Sequence, residues 1–416
     1  MIRHLFKIIW NRKRANALVI TEIFVCFLVL FIVLTASLYS IQNYYRPLGF
    51  DYTRVSSVEV EYDESPRNDG SSSTTGATAV PKVENPYESR QRALLQVAKA
   101  DPAVEGAAWA WPLPFSHSNE VTSYTFRKRE IRYSVARVTD EYKLVMGIEV
   151  TKGRWFSSED DGMDYEALVI SEALAKEAFG DEDPSGKSLT ADRSADDKEP
   201  ERERRVVGVM RAFRQEGEME TTTSYAMRRA SYSSAHMRRV AGLALRLKPG
   251  SDASVEARVA AALQAAAPDW SFKIEPMELA AEFNRRLFMA PLGVGAIIAL
   301  FLILMVALGL SGVLWQSVTT RIREIGVRRA LGASGGDVRR QVIGELMVMA
   351  TIAMLGGILV VLQFPFLDLL GALPATVFAA GLSLTIVSLY ALALLCALNP
   401  ARLATTVHPA EALRYE

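Results

Sequence analysis

Side chains that do chemistry are scarce in this sequence. Its two cysteines, Cys26 and Cys396, both fall inside long uncharged runs, so no disulfide staples the polar part of the chain, which must be held by its own core. The four histidines, His4, His117, His236 and His408, are scattered without metal-ligand spacing. Net charge is missing too: 47 basic and 47 acidic residues cancel, so no global field draws the chain to nucleic acid. A phosphate-binding loop is also absent. Gly186-Lys187-Ser188 ends like one, but Gly180 stands one residue too far upstream for G-x-x-x-x-G-K-[ST]. Gly332-Ala333-Ser334-Gly335-Gly336 fits G-x-S-x-G. That motif needs a strand before it and a histidine at hand; here it follows an arginine-rich stretch, and only His408 lies downstream. The acidic runs 159–161 and 181–183 fit no EF-hand spacing and read as solvated loops. No catalytic, cofactor or metal site is expected.

What is present is charge segregation. Uncharged runs at 23–45, 287–320, 346–367 and 369–401 are each long enough for the ~20 residues that cross a bilayer core. Pro365, Gly371 and Pro374 mark a turn before the last of them. Four transmembrane helices are therefore expected, at about residues 17–45, 290–318, 344–366 and 375–398. The first run exceeds a signal peptide's apolar segment and no A-x-A site follows it, so it reads as an uncleaved anchor. Arg3, Lys7, Arg12, Lys13 and Arg14 precede the first span, an arginine cluster lies between the second and third, and only Asp368 separates the third from the fourth. The positive-inside rule then puts both termini in the cytoplasm, the basic lead-in 1–16 included, and residues 46–286 outside.

In the outer stretch, Val58, Val60 and Tyr62 alternate as a strand, and residues 64–86 are a Ser/Thr/Gly/Pro-rich loop. A helix is expected over 87–100, then a hairpin over 121–135 with its turn at 127–130. Ser171 should cap a helix over 172–179, and a strand should run over 205–213. Leu243, Leu245 and Leu247 alternate, a helix follows from about 254 to 267, and Trp270, Phe272 and Ile274 alternate again. That strand–helix–strand unit predicts two parallel strands. From Met277 a helical pattern runs into the second span as a stalk, with Pro291 as a point of kinking. The expected fold is an integral membrane protein: four transmembrane helices with a large α+β extracytoplasmic domain (46–276) between the first and second, and residues 277–416 forming stalk and membrane domain.

Two features inside this frame carry functional weight. Residues 321–345 hold about six arginines between two apolar spans. Ile322, Ile325, Ala330 and Leu331 take one side of a short helix, Arg323, Arg328 and Arg329 much of the rest, and Gly332 offers a C-cap, with Gly335-Gly336 as a separator from the next span. Such a helix can pass motion to or from a cytoplasmic partner; a basic loop that anchors topology on anionic lipid is the plainer alternative. Glu22, in the first span, is a candidate membrane-embedded acid, or an interfacial carboxylate paired with Arg12 or Arg14.

RIREIGVRRALGAS (321–334), followed by Glu345, resembles the signature of MacB/FtsX-type ABC-transporter permeases. The closing NPARLATTVHPAEALRYE (399–416) resembles that family's tail, with Pro400, Pro409, Ala412, Leu413 and Arg414 in the matching positions. YKLVMGIEVTKGRWFSSED (142–160), VISEALAKEAFGDEDPSGKSL (169–189) and RVVGV (205–209) resemble the MacB-like periplasmic core domain. The resemblance implies a bacterial inner-membrane, multi-pass permease that couples ATP hydrolysis to movement of the outer domain, called mechanotransmission, for export or extrusion. Carried over, Arg321, Ile322, Arg323, Glu324, Ile325, Gly326, Arg328, Arg329, Ala330, Leu331, Gly332 and Ala333 form the coupling helix that sits on the ATPase. The implied partners are cytoplasmic ABC ATPase subunits, which bind the ATP and Mg, a second permease in a homo- or heterodimer, membrane lipid, and a periplasmic adaptor or outer-membrane component. MacB itself carries an ATPase domain ahead of its first span. Here about sixteen residues precede it, so the ATPase is expected to be a separate polypeptide. The alternative within this architecture is an FtsX-like scaffold that activates extracytoplasmic cell-wall hydrolases without transport.

Overall fold

The computed structural model describes residues 13–62, 87–190, 203–220, 224–233, 237, 240–321, 327, 334–365 and 373–406. The chain forms two compact units, one of Met1–Gln42 with Met289–Glu416, the other Asn43–Phe288. Helix α1 (Lys13–Tyr44) opens the described chain. The loop expected at 64–86 lies outside the described residues.

The polar unit is a mixed sheet with helices laid on it. In chain order come β1 (Val55–Glu61), α2 (Glu88–Ala100), β2 (Val104–Trp111), β3 (Glu120–Phe126), β4 (Arg129–Val138), α3 (Tyr142–Met146), β5 (Val150–Gly153), β6 (Glu166–Ser171), α4 (Glu172–Phe179), β7 (Arg204–Met210), β8 (Tyr225–Arg229), β9 (Gly242–Leu247), α5 (Ser254–Ala266) and β10 (Ser271–Pro276). The strand order is β10-β1-β9-β2-β4-β8-β6-β7-β5, with β3 paired to β4 at the side. Strand β2 joins the two halves. Its residues from Val104 to Trp109 pair with β9, and its last two, Ala110 and Trp111, pair with Val138 and Arg137 of β4.

Alternation decides which face each strand buries. Val58, Val60, Leu243 and Leu245 meet Leu94 and Leu95 of α2 and Val259 and Leu263 of α5 in one core. Leu168, Ile170 and Val206 meet Leu174 and Phe179 of α4 in another. Helix α4 begins where expected because the Ser171 hydroxyl accepts the Leu174 N–H at 3.2 Å, a side-chain cap for an otherwise unpaired donor.

Three expectations are corrected here. The hairpin turn is Arg127-Lys128 alone, since Phe126 already pairs with Arg129. Both turn residues have positive φ, 48° and 64°, the two-residue geometry that follows the twist of the flanking strands. Without Asn or Gly there, the sequence hides it. Strand β7 stops at Met210 rather than at 213. Helix α5 connects β9 and β10, which run parallel as expected, though they are not neighbours: β1 lies between them, antiparallel to both. Inserted there, β1 satisfies both of its own edges and one edge of each flanking strand. Trp270 precedes β10 instead of lying in it, buried and stacked on Tyr62 with ring centroids 4.5 Å apart. Gly186-Lys187-Ser188 is a structural turn held by Gly186 N–H to Val206 O (2.7 Å) and Val206 N–H to Lys187 O (2.9 Å).

The membrane unit contains α1, α6 (Met277–Thr320), α7 (Gly335–Val361) and α8 (Ala375–Thr406). Each holds a stretch long and apolar enough to cross a membrane. Helix α6 is continuous over 44 residues, with Pro291 inside it. Helix α7 starts earlier than the expected 344, because Ser334 caps its first turn, and it ends before 366. Within this unit α1 rests on glycines of every other helix. Glu22 lies over Gly309 of α6, Phe27 over Gly357 of α7 and Thr35 over Gly381 of α8. A missing Cβ at each position lets the helices approach closely, the main source of helix association in lipid. The outer face of α6, with Ile297, Phe301, Leu304 and Leu308 exposed, needs an apolar medium around it.

Gly49 has φ +88°, and a Cβ there would overlap the Ala212 carbonyl. Gly49→Ala is expected to lower stability by at least about 2 kcal/mol, combining left-handed strain with a backbone clash. Gly162→Ala, which would meet nothing within 4 Å, should be neutral. Thermal unfolding of the full chain followed by tryptophan fluorescence checks both.

Candidate functional site

Of the residues assigned to the coupling helix, only Arg321 is among those described. Ile322, Arg323, Glu324, Ile325, Gly326, Arg328, Arg329, Ala330, Leu331, Gly332 and Ala333 lie outside them. What the structure describes is how the loop is held at its two ends. At the α6 end, Arg321 N–H donates to Val318 O at 3.1 Å. The Arg321 guanidinium reaches α7, where one nitrogen, Nη1, donates to both carboxylate oxygens of Glu345 at 2.8 and 3.0 Å. Gln341, one turn earlier on α7, donates to Glu345 Oε1 at 3.3 Å. Val318 and Val338 close an apolar contact beside this pair, with Val342 against it.

At the α7 end, Ser334 is the N-cap. Its hydroxyl accepts the Asp337 N–H at 3.2 Å, and Asp337 accepts from the Ser334 N–H at 3.1 Å and hydroxyl at 2.6 Å. This reciprocal capping box consumes the serine of the G-x-S-x-G match. It also corrects the role given to Gly335 and Gly336: they are the first residues of α7 rather than a separator before it. The pattern Ser-x-x-Asp was legible in the sequence.

Glu22 sits on α1 with Oε2 buried and, among the described residues, without a hydrogen-bond partner. That oxygen would be 2.5 Å from a Cβ at Gly309. The side chain of Arg14 and all of Arg12 lie outside the described residues, so the pairing expected there does too.

Sequence reasoning missed a second place altogether, at the point where the chain enters and leaves the polar unit. Arg214 has no exposed surface. Its guanidinium donates to the carbonyls of Asn43 (2.8 Å), Arg46 (3.2 Å) and Glu220 (2.6 and 3.0 Å), and to that of Glu218. Arg214 N–H donates to Leu48 O at 3.0 Å. One cation thus knots residues 43–48 to the loop that follows β7. Next to it, Gln215 accepts the Tyr225 hydroxyl at 2.7 Å and donates to Ser118 O. Glu216 accepts from Asn284 Nδ2 on α6 at 3.3 Å. Nothing in the run Arg-Gln-Glu-Gly-Glu distinguishes this arginine from a solvated one, because its partners are backbone carbonyls, two of them in residues 43–46, far away in sequence.

Burial pushes the Glu216 carboxyl above the ordinary glutamate range, with His117 and the Asn284 hydrogen bond working the other way. A raised carboxyl favours the protonated folded state, so its contribution is present at acid pH and is lost as pH climbs from the ordinary range through the raised value. Glu216→Gln should therefore stabilise the chain at neutral pH relative to wild type, with the advantage fading towards pH 4. Melting temperature against pH checks this. Arg214→Met should cost about 3–5 kcal/mol, since it strands four carbonyls, that of Asn43 buried and the others partly buried. Urea unfolding, with Arg92→Met as an exposed control, measures it.

Comparison with known proteins adds the family. Residues 25–262 match the MacB-like periplasmic core domain, and residues 296–409 match the FtsX-like permease C-terminal domain. The chain is 30% identical over 252 residues to the macrolide export ATP-binding/permease protein MacB 1/2 of Paracoccus denitrificans, a match covering 58% of this chain and 36% of that protein. It is 24% identical over 244 residues to the uncharacterized ABC transporter permease YknZ of Bacillus subtilis, covering 58% of this chain and 59% of that one. The matched stretch thus spans about a third of the MacB relative and under two thirds of YknZ. The crystal structure of the periplasmic region of MacB from Actinobacillus actinomycetemcomitans aligns over 56% of this chain and 92% of its own at 13% identity, with a TM-score of 0.35, too low to bear on the fold. With a MacB-like periplasmic core domain and an FtsX-like permease domain matched in a single chain, this protein belongs to the MacB/FtsX-like family of ABC-transporter permeases.

Proposed function

We propose that this chain is the permease subunit of an ATP-binding-cassette transporter of the mechanotransmission type. It sits in the bacterial inner membrane with both termini and the loop after α6 in the cytoplasm, and with the sheet unit outside. A separate cytoplasmic ATPase binds ATP and Mg and hydrolyses it, while this chain does no hydrolysis of its own. A second permease subunit completes the pair, and the outer domains move to export or extrude the substrate.

One observation carries the reading. A MacB-like domain lies between α1 and an FtsX-like set of three helices, and α6 runs as one 44-residue helix from the last strand of the sheet unit into the apolar span. A helix of that length is about twice what a bilayer core needs, so it serves as stalk and span together. On this reading Ile322, Ile325 and Leu331 are the apolar anchors on the ATPase, and Arg323, Arg328 and Arg329 its charge contacts.

The experiment is a detergent pull-down of the tagged full chain, followed by mass spectrometry and an ATPase assay. A small Walker-A protein should co-purify, and its stimulation should be lost in Ile325→Glu, which puts a charge into an apolar contact but leaves insertion intact. Normal stimulation of the ATPase by that variant defeats the coupling assignment. Recovery of cell-wall hydrolases alone would replace transport with the scaffold function.

A further inference from the structure

From the geometry at the base of the arginine-rich loop we infer that Arg321 and Glu345 form a latch between α6 and α7, and that this latch positions the loop for its partner. The inference rests on the permease reading above and assigns a role to Arg321, the first residue given to the coupling helix, and to Glu345, which was not given to it.

Three observations carry it. First, the pair closes the loop. Arg321 is the first residue after α6 and Glu345 lies about three turns into α7, so the contact joins the two helices that flank residues 322–333 in the sequence. Second, the pair is shielded: the two side chains are 18% and 12% exposed. An exposed ion pair contributes little, but one withdrawn from water is costly to break from one side. Third, the carboxylate is singular. From residue 338 to the end of α7, Glu345 is the only acidic residue, and Leu346 beside it is buried in the apolar core of the membrane unit. A lone acid at that depth requires a partner. Arg339 and Arg340 on the same helix are exposed, whereas Arg321 makes the contact and Gln341 steadies one of the two oxygens.

The mechanical consequence is that the ends of α6 and α7 cannot part without breaking the pair. A displacement applied to the loop is then delivered to both helices together. The apolar contact of Val318 with Val338 holds the same two helices, but it is non-directional and would allow one helix to slide on the other. The charge pair fixes the register.

The test uses the full chain in detergent or nanodiscs with whatever ATPase co-purifies. The variants are Arg321→Glu, Glu345→Arg, their combination, and Glu345→Gln in case a reversed charge blocks insertion. Three quantities are read: ATPase bound per permease, stimulated ATP turnover, and backbone hydrogen exchange over residues 315–321 and 334–345. Each single variant should lower stimulated turnover about tenfold, within the usual span for coupling between two sites, and speed exchange at both helix ends. The charge-swapped double variant should recover both, which a loss of packing alone would not allow. A swap as defective as the single variants, or unchanged exchange in all of them, overturns the latch. If wild type brings down no ATPase, the permease reading fails, and exchange in the singles against the swap still decides whether the pair fixes the helix ends.

Discussion

The polar unit depends on one buried guanidinium. Arg214 gathers the carbonyls of Asn43, Arg46, Glu218 and Glu220, of which Asn43 also accepts the Arg46 N–H at the end of α1. A chain that leaves an apolar helix and enters a folded sheet must bend, and a bend exposes backbone oxygens that burial would otherwise penalise. Arginine suits the task, since its planar fork donates in several directions and stays charged. Around it the close approach of Gly49 to Ala212 and the aromatic cluster of Phe50, Phe213 and Tyr225 complete the foot of the unit. Asn284 reaches the same place from α6 through Glu216.

The membrane unit solves its packing problem differently. In lipid there is no hydrophobic gain from bringing apolar helices together, so contact has to come from fit. Helix α1 supplies it by pressing Glu22, Phe27 and Thr35 onto glycines of three different helices. Phe31 meets Phe378 edge-on at 5.3 Å, and the Thr351 and Tyr390 hydroxyls join α7 to α8 at 2.9 Å. The acid in this set is the unusual member. Glu22 places a carboxylate where the other contacts use a ring or a methyl-bearing hydroxyl, and its buried oxygen faces a backbone notch.

Between α6 and α7 the two modes meet. Ser334 and Asp337 close the first turn of α7 with hydrogen bonds, while Arg321 and Glu345 join the helices by charge. The described polar groups on either side of the signature loop are thus committed to one another. Motif matching alone would have spent Ser334 on catalysis; its hydroxyl is already committed to the helix.

The sequence by itself determined a great deal. Run length and charge bias gave four spans and a polar domain after the first, because bilayer thickness sets a residue count that composition reveals directly. Alternation and caps gave the existence of β1, α2, α4, α5 and the β3–β4 hairpin, since these are local. Only tertiary structure decided the rest. That β1 separates β9 from β10 depends on which edges remain unpaired, and that is a property of the whole sheet. The tight turn at Arg127-Lys128 was hidden because strand twist, rather than residue preference, imposes its positive φ. Arg214 looks like any surface arginine in the sequence, and Arg321 like one more cation of the basic loop. Their partners lie as far as 171 residues away for Arg214 and 24 for Arg321, so only folding shows that one is a knot and the other joins two helices.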